Sequence, residues 1–144
     1  MTRRRTDPDP AARGDHGCEQ DRAGRGRTAE ALVAHEIESR GWMIFGRNVR
    51  LGRLEIDLLA LHAGILHVVE VRSRVGRHAG DPLETVGPAK RRALSRAVAA
   101  AAARGILPPH REIRYDVATV VWADAGARPE LVLHEGAFDA LDLM

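Results

Sequence analysis

The chain has 144 residues, 44% of them hydrophobic, which is enough for one compact domain with an ordinary core. It contains no run near the roughly 18 apolar residues a spanning helix needs. The polar start MTRRRTDPDPAARGDHGCEQDRAGRGR does not read as a secretory signal. With a single cysteine, Cys18, no internal disulfide can form, and the cytoplasm is the expected compartment.

Net charge is +2, and its distribution matters more than its size. Residues 1–28 carry seven arginines against five acids, and the rest carries fifteen basic and fifteen acidic residues. The folded body is therefore neutral, so a surface for a polyanion has to be a local patch. Of the 22 basic residues, 21 are Arg and only Lys90 is Lys.

Residues 1–26 mix Arg, Asp, Gly and Pro with little apolar content and are expected to be a disordered tail, followed by a single domain over 27–144. Thr28 reads as a helix N-cap; Ala29, Leu32, Val33 and Ile37 follow at helical spacing, and Gly41 is a stop. Strands are expected at Trp42–Val49, Leu54–Leu61 and Ile65–Arg72, with a three-residue turn at 62–64. A polar, Gly-rich loop over 73–83 leads to a long helix ending at Arg104 before Gly105 and Pro108-Pro109. Strands at Glu112–Trp122 and Glu130–His134 and a helical turn near Phe138 complete an α-β-β-β-α-β-β-α order. Hairpins followed by a helical crossover imply an α/β domain with a mixed sheet flanked by helices.

Two of these strands hold acids where a core strand should be apolar. Asp57 lies within LEIDLL and Glu70 within HVVEVR. An isolated carboxylate removed from water costs several kcal/mol unless it is paired or binds a metal. Across the hairpin the two acids can meet at one end, where they repel unless a cation lies between them. Hard oxygen ligands of this kind suit Mg²⁺ or Mn²⁺. Period two places Arg72 on the face of Glu70, and Glu55 on that of Asp57. A metal beside a cation is apparatus for attacking a phosphodiester. The same pattern also fits solvent-facing acids on an edge hairpin, with Glu70 and Arg72 as a plain surface pair.

The run RNVRLGRLEIDLLAL, then ILHVVEVRSR, GDPLETVGPAKRRAL and IRYDVATV, resembles the YraN family of small bacterial proteins over roughly residues 26–122. That family is similar to archaeal Holliday-junction resolvases in the restriction-endonuclease-like superfamily. The resemblance implies a restriction-endonuclease-like core of the PD-(D/E)xK type. Glu30 would be its helix acid, Asp57 and Glu70 its metal ligands, and Glu70-Val71-Arg72 its (D/E)xK element. By itself Glu30 also reads as a first-turn acid favoured by the helix dipole. Two positions depart from the pattern. Leu54 stands where the family has Gly, and Arg72 where the superfamily has Lys. Lysine can lose its proton when desolvated, whereas arginine cannot, although it can grip a phosphate with two hydrogen bonds.

Arg47, Arg50 and Arg53 before the second strand, Arg72, Arg74 and Arg77 after the third, and Lys90, Arg91, Arg92 and Arg96 on the long helix could meet phosphates. Lys90 also fits as a solvated helix charge. With 3% aromatic residues, stacking on single strands is disfavoured, and duplex or branched DNA read through its backbone is the expected partner. Asp116 reads as a structural hydrogen-bond acceptor, and the histidines show no ligand spacing. Two functions follow: a Mg²⁺- or Mn²⁺-dependent DNA endonuclease, or a binding module that lost cleavage through Arg72. Neither involves a membrane, and a homodimer is compatible with both.

Overall fold

The computed structural model describes residues 16–76, 86–124 and 126–140. Helix α1 spans His16–Ser39, so residues 16–26, expected in the disordered tail, are helical, and residues 1–15 lie outside the description. Thr28 does not cap the helix; its hydroxyl donates to the Gly24 carbonyl at 2.9 Å, inside the helix. Ala29, Val33, Ala34 and Ile37 are fully buried and nucleate the segment, and adding outer residues then gains one hydrogen bond for each residue fixed. The helix stops where expected. Gly41 adopts φ +85°, with Gly41 N–H donating to Glu38 O and Trp42 N–H to Ile37 O, the paired bonds of a Schellman cap.

Five strands follow: β1 Met43–Leu51, β2 Leu54–His62, β3 Ile65–Val75, β4 Glu112–Trp122 and β5 Glu130–Phe138, with α2 at Pro88–Ala103 between β3 and β4. They form one sheet in the order β1-β2-β3-β4-β5, antiparallel except for the parallel pair β3 and β4, which α2 connects. This is the mixed α/β architecture expected, with the element order of a restriction-endonuclease-like core.

Three details differ from the sequence expectation. First, β3 continues to Val75, into the expected loop, because β4 pairs with it as far as Val75↔Trp122; residues 77–85 lie outside the description. Second, the β2–β3 turn has two residues, since His62 pairs with Ile65, and Ala63 and Gly64 both have positive φ (51° and 77°). Third, the helical turn expected near Phe138 begins only at Ala140, with residues 141–144 outside the description, and does not include Phe138. That residue ends β5, paired with Tyr115 and stacked on its ring at 5.1 Å, with the Arg91 guanidinium 5.1 Å from its face. An apolar side chain with a sheet partner and a ring to cover is held in the strand.

Each face of the sheet has its own core. On one, Ala29, Val33, Ala34 and Ile37 of α1 and Trp42 cover Leu58, Ala60, Val69, Ala118 and Val120. On the other, Leu94, Ala97, Val98 and Ala101 of α2 cover Ile56, Leu59, Leu66, Val68 and Val117. Ile56 and Leu58, two residues apart, thus pack against opposite helices. An unbroken strand would put them on one face, so the alternation of β2 slips by one residue at Asp57.

Candidate active site

The slip at Asp57 positions the site. The β2–β3 pairing runs from His62↔Ile65 to Leu58↔Val69, and the next rung would set Asp57 against Glu70. There the Asp57 carboxylate takes over from the backbone ladder: its Oδ2 accepts the Val71 N–H at 2.9 Å. Tied to β3 in this way, its carboxylate is a close enough neighbour of Glu70 to act on its charge. The expected meeting of Asp57 and Glu70 at one end of the hairpin is what the structure shows. Glu55 lies on the same side as Asp57, as its spacing implies: both acids neighbour Glu30 of α1, and Glu55 is linked to Glu30 through Asn48.

Glu70 is 3% exposed. Its Oε1 lies 3.5 Å from the Arg72 Nη2 and 3.5 Å from the Lys90 Nζ, while its Oε2 is buried and finds no donor. Burial is the main cause that pushes the Glu70 carboxyl up to about 7, and the negative Asp57 adds to it; Lys90 and Arg72 pull the other way. Arg72 and Lys90 answer one Glu70 oxygen, and the other is left for a proton or a further cation. The plain surface-pair reading of Glu70 and Arg72 is excluded by this burial.

Whether an ion fits can be judged from the donor set. Among the described residues no group of three or more His, Cys, Asp and Glu side chains is arranged to hold a metal. The site instead offers two carboxylates and one buried, unsatisfied oxygen. This suits Mg²⁺ or Mn²⁺, which keep water and substrate oxygens in most positions, and not the closed N/S cage of structural Zn²⁺. Asp57 and Glu70 are the residues that would hold the ion.

Glu30 reaches the cluster from the opposite side of the sheet, in the cleft between α1 and β1 that Arg27, Arg47, Asn48 and Leu58 also line. Its carboxyl is raised above its ordinary value, first by burial and then by the charge of Asp57. Asp57 is thus the common neighbour: it meets Glu70 on the α2 side and Glu30 on the α1 side.

Of the cations read from the sequence, Arg72 and Lys90 converge on Glu70. Lys90 belongs to the acidic cluster and is not a purely solvated helix charge. Arg47, Arg50 and Arg53 are exposed on β1 and the following turn, Arg47 within 3.5 Å of Glu38, and Arg74 is half-buried on β3. Arg77 lies outside the described residues.

Sequence reading missed Asn48 and underrated His67. Asn48 would have been signalled by its type, since Asn adopts left-handed backbone more readily than most residues. His67 is buried, stacked on Trp42 at 3.8 Å between centroids, and bonded through Nδ1 to Asp116 Oδ2 at 2.6 Å. Asp116 Oδ1 also accepts the Gly136 N–H at 2.9 Å, so the acid holds a β5 bulge and has the structural role expected of it. No described helix is long and apolar enough to cross a membrane.

Comparison with known proteins places residues 29–120 within the model of a family described as Uncharacterised protein family UPF0102. A UPF0102 protein of Anaeromyxobacter sp. strain Fw109-5 is 39% identical over 120 residues, covering 83% of this chain and 87% of the relative. One of Anaeromyxobacter dehalogenans strain 2CP-C is 41% identical over 120 residues, covering 83% and 88%. One of Pseudomonas aeruginosa strain LESB58 is 34% identical over 116 residues, covering 81% and 93%.

Proposed function

This chain belongs to the UPF0102 (YraN) family, and we propose that it is a divalent-metal-dependent endonuclease acting on DNA, which it reads through the phosphate backbone. One observation carries the reading. A fully buried Glu70 meets Asp57, and two cations close on the same Glu70 oxygen. A fold does not keep a buried glutamate with an unsatisfied oxygen beside a second carboxylate for stability, because an apolar residue at that position would cost less.

Asp57 and Glu70 would hold Mg²⁺ or Mn²⁺, and the ion, when bound, supplies an activated water and steadies the departing oxygen. The rest falls to the chain itself. Arg72 is 33% exposed at its side chain, so its guanidinium can leave Glu70 and hold the scissile phosphate, neutralising charge that grows in the transition state. Because Arg stays protonated, this role is charge stabilisation alone. Glu30, beside Asp57, assists from the α1 side by holding water or orienting Asp57. Arg47, Arg50, Arg53, Arg74 and Lys90 would hold flanking phosphates, making affinity independent of sequence and sensitive to salt.

A second reading has its own observation. Arg72 occupies the position where a proton-accepting lysine would stand, and its Nε is buried without a partner. A protein that grips a phosphate at Arg72 without cutting it would keep all of this geometry. The discriminating experiment incubates the protein with branched, nicked and linear DNA in Mg²⁺ or Mn²⁺ and resolves the products. Cleavage abolished by EDTA and by Asp57→Asn supports the nuclease. Salt-dependent binding with no cleavage of any substrate by wild type or by Arg72→Lys overturns it in favour of the binding module.

A further inference from the structure

Beyond its bulge between Ile44 and Gly46, β1 leaves the ladder again at Asn48. Arg47 pairs with Leu58 and Val49 with Ile56, so Asn48 faces Asp57 at the rung between them. Asn48 has φ 48°, one of two described non-glycine residues in the left-handed region. A strand pays for such a conformation, and strain of this kind gathers where geometry serves a site.

With its nitrogen turned toward the acids, the Asn48 amide donates to Glu30 Oε2 at 3.0 Å and to Glu55 Oε1 at 3.1 Å. This is the orientation in which both polar ends of the amide are satisfied. Its two N–H groups therefore link an acid on α1 to an acid on β2. Asp57 and Glu55 both repel the charge of Glu30, and the Asn48 amide opposes them by favouring its ionised form. Arg27 and Arg47 supply the cations of the same cleft. Left alone, Glu30 would swing away from Asp57 toward Arg27, Arg47 or solvent.

We propose that Asn48 is a positioning residue, whose side-chain amide, delivered by a left-handed break in β1 opposite Asp57, fixes the Glu30 carboxylate beside Asp57. Asn48 touches neither the Asp57–Glu70 pair nor a reacting atom; it acts through Glu30. The left-handed backbone matters because an extended residue at this rung would follow the strand's alternation and could not serve both acids. The catalytic consequence rests on the nuclease reading, whereas the structural one does not.

Two substitutions separate the amide from the backbone. Asn48→Gly keeps the left-handed conformation and removes the amide. Asn48→Asp keeps the shape and backbone tolerance but replaces the donors with acceptors. The first readout is the titration midpoint of the Glu30 carboxyl, followed by ¹³C NMR in metal-free full-length protein. The amide favours the ionised acid, so the midpoint should rise in both variants relative to wild type. Asn48→Asp adds a charge of its own beside Glu30, so if Asn48→Gly does not fold, Asn48→Ser, uncharged and too short to reach both acids, supplies the readout. An unchanged midpoint overturns the proposal, whether or not the protein cuts DNA. The second readout is cleavage: kcat should fall about tenfold, the loss of one ordinary hydrogen bond, with KM little changed. A folded Asn48→Gly that cleaves at the wild-type rate also overturns it. Wild-type protein that cuts nothing, with a Glu30 midpoint that still rises in both variants, supports Asn48 and counts against the nuclease reading alone.

Discussion

Replacing Glu70 by glutamine removes a charge that the fold holds at a cost and leaves the shape of the side chain almost unchanged. The magnitude follows from linkage. Glu70 is pushed from 4.5 in its ordinary state up to about 7 by burial and by Asp57. Between those values the folded protein binds a proton that the unfolded chain has released, so stability falls as pH rises through this window. The contribution is fully present below about 4.5 and fully lost above about 7. At about 1.4 kcal/mol per pH unit, the rise from 4.5 to about 7 corresponds to roughly 3 kcal/mol at most. About 2–3 kcal/mol is the working figure. Glu70→Gln is neutral at every pH and escapes this loss. Urea unfolding of both proteins from pH 4.5 to 8.5 should show similar stability at the acid end, with the variant ahead by about 2–3 kcal/mol at pH 8. Saturating Mg²⁺ or Mn²⁺ should then stabilise wild type and not the variant. A stability difference that does not change with pH would refute the reasoning, because every other titrating group is common to both proteins.

Further outcomes follow from other parts of the structure. Arg72→Lys should keep or raise cleavage, because lysine preserves the charge and adds a group that can pass a proton, while Arg72→Ala should weaken both binding and cleavage. Ala63 sits in the left-handed region of a two-residue turn, so Ala63→Asn should stabilise the fold by about 0.5–1 kcal/mol, read as a rise in Tm of about 2–4 °C. Asp116 is 0% exposed and bonds both the buried His67 and the Gly136 N–H, so Asp116→Ala should cost about 2–3 kcal/mol in urea unfolding by stranding the His67 ring in the core and releasing the β5 bulge.

Much of this arrangement was legible in the sequence, for reasons that differ from element to element. Strands and the long helix could be read because apolar spacing and Gly or Pro stops are local signals. Asp57 and Glu70 stood out because a charge inside an apolar strand is costly wherever the strand lies. The hairpin then brought them together, since pairing across a short turn is nearly fixed by chain geometry. What could not be read was tertiary. The slip at Asp57 that sends Ile56 and Leu58 to opposite faces depends on a side chain replacing a backbone acceptor, which a period-two count does not foresee. The approach of Lys90 to Glu70 depends on how α2 crosses the sheet. The helix over residues 16–26 grows from turns packed further along the chain, and its own Arg/Gly-rich composition argues against it. The extension of β5 from His134 to Phe138 could not be read because the partner of Phe138, Tyr115, lies on the neighbouring strand.

The central claim is that Asp57 and Glu70 share one divalent cation, and calorimetric titration of full-length protein with Mn²⁺ tests it most directly. The account predicts one saturable site in wild type, weakened at least tenfold by Asp57→Asn and by Glu70→Gln, with a proton released on binding at pH 6 as the ion displaces the one the pair holds. Wild-type protein that binds no Mn²⁺, or variants that bind it as tightly as wild type does, would contradict the claim.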